Sequence, residues 1–322
     1  MEKKSLFRFR MLEALIIKRL KRRVLALVSI ALLNFVRLLG FRLARRVGVV
    51  LAFLAYYLVP RVKKIGMKNL NIAFGDSFDK QRKKEILWKA VKNMCLVAVE
   101  FPYMPYLASI RYRGVADYEG IEHIEEYIEG KKGAIFIGAH LGNWEMMASL
   151  MCSHGYRVVE VVRNFDDPIM DRKIDEIRNN SMIKTISKDS SSNEIIKLIK
   201  EGWFVGILVD QSPRDNAVPV KFFGRECWAT MGPVFLHLRT GAPIHPVLMI
   251  RKEDGSFLLR ILPALNLERT GNLRRDLLHN TQICQDAIES LVRDYPEQWL
   301  WFHDRWKPRD QLRLRWERFK DG

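Results

Sequence analysis

The chain has 322 residues and is strongly basic, with 54 lysines and arginines against 37 acidic residues and a formal net charge of +17. That length can bury a full core as one large domain with an appendage, and the charge calls for an anionic partner: membrane lipid, nucleic acid or an acidic protein. Cys95, Cys152, Cys227 and Cys284 are far apart without a CxxC spacing, so no zinc or disulfide framework is legible and a reducing compartment is favoured. No HExxH, Walker A loop or GxGxxG occurs, which removes the metalloprotease, P-loop and dinucleotide-binding readings; nothing like a recognition helix or RNP motif supports nucleic acid.

Much of the positive charge lies at the start, in Lys3, Lys4, Arg8, Arg10, Lys18, Arg19, Lys21, Arg22 and Arg23. An apolar run at 24–36 is then broken by Arg37, Arg42, Arg45 and Arg46, and a second run at 47–59 stops at Pro60. Each run is shorter than the ~20 residues that cross a bilayer comfortably. A signal peptide would also begin basic then apolar, but no small-x-small cleavage site follows. Arginines spaced through apolar helix suit a hairpin lying in the membrane interface. Residues 1–60 are therefore expected to form a membrane-anchoring helical segment and 61–322 the main domain. A single crossing would carry that domain outside; four cysteines and the charge fit the cytoplasmic face better.

Residues 61–130 read as helical and polar, ending in an acidic stretch at 119–129. From Gly133 the pattern changes. Apolar runs at 134–137, 158–162, 204–209, 244–250 and 257–262 alternate with helical segments near 143–153, 168–180, 192–201 and 231–239, and a late helix near 275–294 precedes Pro296. This alternation predicts an α/β fold, a mainly parallel mixed sheet flanked by helices.

The first of these strands leads into Gly138-Ala-His140-Leu-Gly142-Asn143-Trp-Glu145. Gly142 can take the φ of a sharp turn, Asn143 suits a helix N-cap, and Glu145 falls in the first helical turn. The turn is expected to fold the imidazole back within reach of Glu145, which would fix its tautomer and leave the other ring nitrogen to take a proton. Gly138-x-His140-x-Gly142 has the spacing of a nucleophile elbow with His in place of Ser, which favours a base over a covalent nucleophile. The strands at 158–162 and 204–209 run into Arg163-Asn164 and Asp210-Gln211. If they are parallel to the first, His140, Arg163 and Asp210 project from one sheet edge, where α/β folds bind ligands.

Together these segments resemble the late lipid A acyltransferases, the lauroyl and myristoyl transferase type within the His-x4-Asp/Glu glycerolipid acyltransferases. The resemblance is carried by Gly138–Glu145 and supported by Val162-Arg163-Asn164, Leu208-Val-Asp210-Gln211, Val220-Lys-Phe-Phe-Gly224, Asn69–Phe74 and Pro296-Glu-Gln-Trp299-Leu-Trp301-Phe-His-Asp-Arg305-Trp306. It implies an O-acyltransferase without cofactor or metal, with His140 as general base and Glu145 as its charge partner. Arg163, Asp210, Gln211, Asn143 and Gly224 then belong to the substrate groove. The implied donor is an acyl thioester on acyl carrier protein or coenzyme A. The implied acceptor is an anionic glycolipid, a lipid A precursor before a mannosylated phosphoinositide. The implied place is the cytoplasmic face of the bacterial inner membrane.

Overall fold

The computed structural model describes residues 2–188 and 190–318; the side chains of 1–16 and Lys18, and with them those of Lys3, Lys4, Arg8 and Arg10, lie outside the described residues. The first third is helical: α1 (Glu2–Leu38), α2 (Phe41–Leu58), α3 (Pro60–Phe74), α4 (Lys80–Glu100) and α5 (Met104–Ser109). Strands and helices then alternate through β1 (Ala116–Glu119), α6 (Glu125–Glu129), β2 (Ile135–Gly138), α7 (Trp144–Ser153), β3 (Val158–Val162), α8 (Pro168–Asn180), β4 (Lys184–Ser187), α9 (Ser192–Lys200) and β5 (Phe204–Leu208). The remainder is β6 (Ala217–Phe222), β7 (Arg225–Thr230), α10 (Gly232–Thr240), β8 (Ile244–Arg251), β9 (Phe257–Ile261), α11 (Leu273–Asp294) and α12 (Asp310–Arg318).

Seven strands form one sheet in the order β1-β9-β8-β2-β5-β3-β4. Every pairing in it is parallel except β8 with β9. The mainly parallel sheet expected from the apolar runs is present, and β2 is buried along its whole length, as a central strand covered on both faces must be. No apolar run in the sequence marks β1, β4 or the hairpin of β6 and β7. These are short or half-exposed strands, in which a continuous apolar run has no reason to form. The hairpin turns at Phe223 and Gly224, both with positive φ, the pattern of a type I′ turn.

The second apolar run has two different faces. Ala44, Gly48, Ala52 and Tyr56 of α2 are buried, and a Cβ added to Gly48 would come within 2.8 Å of Val99 on α4. The opposite face exposes Val50, Phe53, Tyr57 and Leu58. The inner face of α2 therefore belongs to the same core as α4. Among the described residues no single helix is long and apolar enough to cross a membrane, although α2 and the helix after it could form a bent pair by length and composition.

The turn after β2 is pinned from several sides. Gly142 has φ +64, and a Cβ there would approach the Met249 carbonyl oxygen to 1.9 Å. Its N–H donates to the Gln298 carbonyl, its own carbonyl accepts from Asn93 Nδ2, and the Asn143 N–H donates to Met249. Backbone approach this close excludes any side chain. Gly142→Ala is expected to destabilise the fold by on the order of 3 kcal/mol in urea unfolding. A loss under about 1 kcal/mol would show that the turn can rearrange.

Candidate active site

The site follows from strand register. In the parallel pair β2–β5, Gly138 is level with Leu208, and the Val209 N–H continues the ladder onto the Gly138 carbonyl. His140 and Asp210 each lie two residues beyond that level pair, so the two strands deliver them side by side. Asp210 Oδ1 is 2.8 Å from His140 Nδ1. The other oxygen, Oδ2, accepts the His140 backbone N–H at 2.9 Å and the Trp299 indole N–H at 2.8 Å. Asp210 is only 2% exposed, whereas the His140 side chain keeps 19% of its surface open.

These contacts set the charge states. Burial alone would raise the Asp210 pKa, but the imidazole, the His140 N–H and the indole N–H hold it down at about 2. An ionised carboxylate only accepts, so Nδ1 of the ring carries hydrogen and Nε2 presents a lone pair. For His140, burial disfavours the proton, yet the adjoining Asp210 carboxylate outweighs it, with a smaller contribution from the charge of Glu145. The net pKa lies above 6.5. The ring of Trp144 packs against the imidazole at 5.1 Å between centroids, and the carboxamide of Gln211 approaches Nε2 at 3.1 Å.

Glu145 was expected to hold the imidazole; the structure gives that hydrogen bond to Asp210. Asn143 caps α7 as expected, its side chain accepting the Met146 N–H, and the helix then carries Glu145 toward α8. There both carboxylate oxygens take the Arg178 guanidinium at 3.1 Å. Glu160 on β3 lies beside this pair, 3.9 Å from Arg178. Burial and the charge of Glu145 push its pKa up to about 8, so it is mostly a neutral acid near pH 7. Arg178 and Glu160, which no motif singles out, thus join Glu145 in a three-membered polar cluster.

That cluster is the polar part of the wall of an otherwise apolar cavity, with about 610 Å³ of empty space including its opening to solvent. Phe136, Met151, Val158, Leu208 and Trp144 line it. Gly206 lies level with Glu160 across β3–β5, and a Cβ added there would meet nothing closer than 3.8 Å. Gly138 and Leu208, two residues before His140 and Asp210, form part of its lining, and so does Trp144, whose indole lies tilted beside the His140 ring.

Residues 16–308 match the sequence model of a family described as bacterial lipid A biosynthesis acyltransferase. The chain belongs to that family. It is an O-acyltransferase. It is 26% identical over 291 residues to the lipid A biosynthesis lauroyltransferase of Escherichia coli, covering 88% of this chain and 92% of that protein. The palmitoleoyltransferase of the same organism is 25% identical over 256 residues, covering 78% and 80% of the two chains. The phosphatidylinositol mannoside acyltransferase of Mycolicibacterium smegmatis is 21% identical over 194 residues, covering 59% of this chain and 62% of that one.

The other residues expected in the acyltransferase groove are distributed unevenly. Arg163 follows β3 at the same sheet edge, but its side chain is 53% exposed and faces Asp166 at 3.6 Å rather than the His140–Asp210 pair. Gly224 has open space around it in the hairpin turn, and its role there is conformational. Two further supports were not anticipated. The fully buried Glu100 accepts Asn143 Nδ2 at 2.8 Å and is ion-paired with Arg45 and Arg251. His303 Nε2 accepts the Ser212 N–H at 3.2 Å and so steadies the loop after Asp210. Only the cluster of aromatic and basic residues at 299–306 hinted at the second.

Used as a base, His140 must be neutral, so transfer should rise with pH along an acid limb shifted up from the ordinary imidazole range by the Asp210 carboxylate. Asp210→Asn removes the charge responsible. Its residual activity should fall by roughly 10²–10⁴-fold and its acid limb should move to lower pH. A limb that stays in place in the variant would show that Asp210 does not set the imidazole's proton affinity.

Proposed function

We propose that this acyltransferase moves a fatty acyl chain from a thioester carrier to a hydroxyl of a lipid A precursor at the cytoplasmic face of the inner membrane. The observation that carries the chemistry is the His140–Asp210 pair, two residues beyond Gly138 and Leu208 in the lining of an apolar cavity. The carrier of the thioester is acyl carrier protein in this reading, an acidic partner for a chain of net charge +17. The acceptor class is supported by the family and by two lipid A enzymes to which the chain is similar over most of their length. The mannoside enzyme of Mycolicibacterium smegmatis, similar over a shorter stretch, keeps a phosphoinositide mannoside as the second acceptor to be assayed.

The acyl tail enters the apolar cavity under α7 and leaves the thioester carbonyl near His140. The acceptor oxygen attacks that carbonyl while its proton passes to Nε2. Asp210 stabilises the imidazolium so formed, as the carboxylate of a Ser-His-Asp triad does. Collapse of the tetrahedral intermediate breaks the C–S bond, and the imidazolium returns the proton to the departing thiolate. Glu145 acts at one remove: with Arg178 it fixes the first turn of α7 and the wall of the acyl cavity.

The membrane contact falls to α1 and α2. Leu20, Val24, Leu27, Val28 and Phe35 expose an apolar stripe at helical spacing on α1, and Val50, Phe53, Tyr57 and Leu58 do so on α2. Arginines and lysines border both, the composition of a helix lying in an anionic lipid interface. This supports a monotopic anchor formed by residues 1–60, with 61–322 as the catalytic domain.

The catalytic reading is tested by incubating the protein with radiolabelled acyl thioester on acyl carrier protein and a lipid A precursor. Label is expected in the lipid, and His140→Ala should abolish it while leaving the melting temperature near the parent's. Undiminished transfer by a folded His140→Ala protein would sink the base assignment. The anchoring reading is tested by flotation with anionic vesicles. Binding should survive ~1 M salt, which shrinks the screening length to roughly 3 Å but leaves apolar insertion intact. Release by salt would reduce the contact to electrostatic docking.

A further inference from the structure

Asp210 and Gln211 are adjacent in the chain, yet they occupy opposite nitrogens of one imidazole. Because Nδ1 carries the hydrogen given to Asp210, Nε2 of the neutral ring is an acceptor, and the group 3.1 Å from it must donate. Gln211 Nε2 is that donor. The backbone around it is held: Asp210 is buried, the Ser212 N–H is bound to His303, and Arg309 donates to the Ser212 carbonyl and hydroxyl. The Gln211 side chain is exposed, and its contact with His140 is its one side-chain hydrogen bond among the described residues.

A proton can pass to Nε2 only from an oxygen within about 2.6–3.2 Å of it, which is where the Gln211 amide nitrogen now lies. Gln211 and an attacking oxygen therefore compete for one lone pair. We propose that Gln211 guards the base, holding water off His140 Nε2 until a bound acceptor hydroxyl displaces the amide. The inference rests on His140 being the base.

The reaction so restrained is hydrolysis of the acyl thioester. A water O–H would give its proton to Nε2 as its oxygen bonds to the carbonyl carbon. The C–S bond would break, the thiolate would take the proton back, and the products would be free fatty acid and free thiol carrier. Water has no other contact with the enzyme to offset displacement of the amide, whereas a lipid acceptor is bound through its headgroup and chains. One net hydrogen bond of this kind discriminates by roughly 2–10-fold.

The guard also leaves a mark on the ring itself. A donor at Nε2 favours the neutral imidazole, so removing it should raise the pH at which His140 titrates. The titratable groups facing the ring are Asp210 from the loop after β5, Glu145 from α7 and His303 from the C-terminal segment, and none of them changes in the Gln211 variants.

The full-length protein, Gln211→Ala and Gln211→Met should be compared, methionine keeping the length of the side chain without its N–H. With labelled acyl thioester and lipid acceptor, the ratio of free fatty acid to acylated lipid should rise roughly 2–10-fold in both variants. His140 followed by nitrogen NMR in the free protein should titrate at higher pH in both, with His140→Ala assigning the signal. An unchanged ratio with an unmoved titration would overturn the guard, as would a parallel fall of hydrolysis and transfer, which would make Gln211 a substrate contact instead. Failure of the underlying reading looks different: His140→Ala would then retain transfer whatever Gln211 does.

Discussion

The site depends on one carboxylate with three donors. Asp210 accepts the imidazole Nδ1–H, the His140 backbone N–H and the Trp299 indole N–H, each from a different kind of group. A buried carboxylate is tolerable only when its charge is matched in this way. Satisfying it fixes three things together: the tautomer of His140, the path of the chain after β2, and the position of the C-terminal segment. The last point explains why residues far along the chain matter to the site. Leu300 donates to the His140 carbonyl, and Gln298 accepts from Gly142, so the segment at 298–300 lies along the catalytic turn.

A second buried charge supports the turn from behind. Glu100 is shared by Arg45, Arg251 and Asn143, and so joins α2, α4, β8 and the N-cap of α7. Arg45 lies on the same helix whose outer face exposes Phe53 and Tyr57. In the proposed orientation, the surface that meets lipid and the cap that starts the catalytic helix are thus two bonds apart through one carboxylate. Losing either arginine would leave Glu100 under-compensated in a dry environment, so this network constrains the sequence of α2 independently of any membrane role.

The alternation of apolar runs disclosed most of the sheet, because parallel strands buried on both faces must be continuously apolar. The turn chemistry was equally readable: Gly142 has the positive φ, and Asn143 caps the helix. What the sequence does not carry is register. Nothing local to His140 says that β5 rather than β3 is the neighbour of β2, and the neighbour decides which strand-end residue meets the imidazole. With β5 beside β2, Asp210 meets it, and Arg163 on the next strand is left to solvent.

The His-x4-Glu spacing does not by itself bring the carboxylate to the ring. Five positions apart, with a turn between, the two side chains could meet if the chain stayed compact through Trp144. The cap on Asn143 instead commits residues from 144 onward to helix, and a helix beginning there sends Glu145 down over the sheet face, toward α8 and Glu160. Arg178 is then required to hold it: two carboxylates beside an apolar cavity cannot both be ionised without a cation between them, and even with Arg178 present Glu160 is raised to about 8. The spacing therefore reports two linked demands, an imidazole above the sheet edge and an anchored helix beneath it. The carboxylate of the motif serves the second.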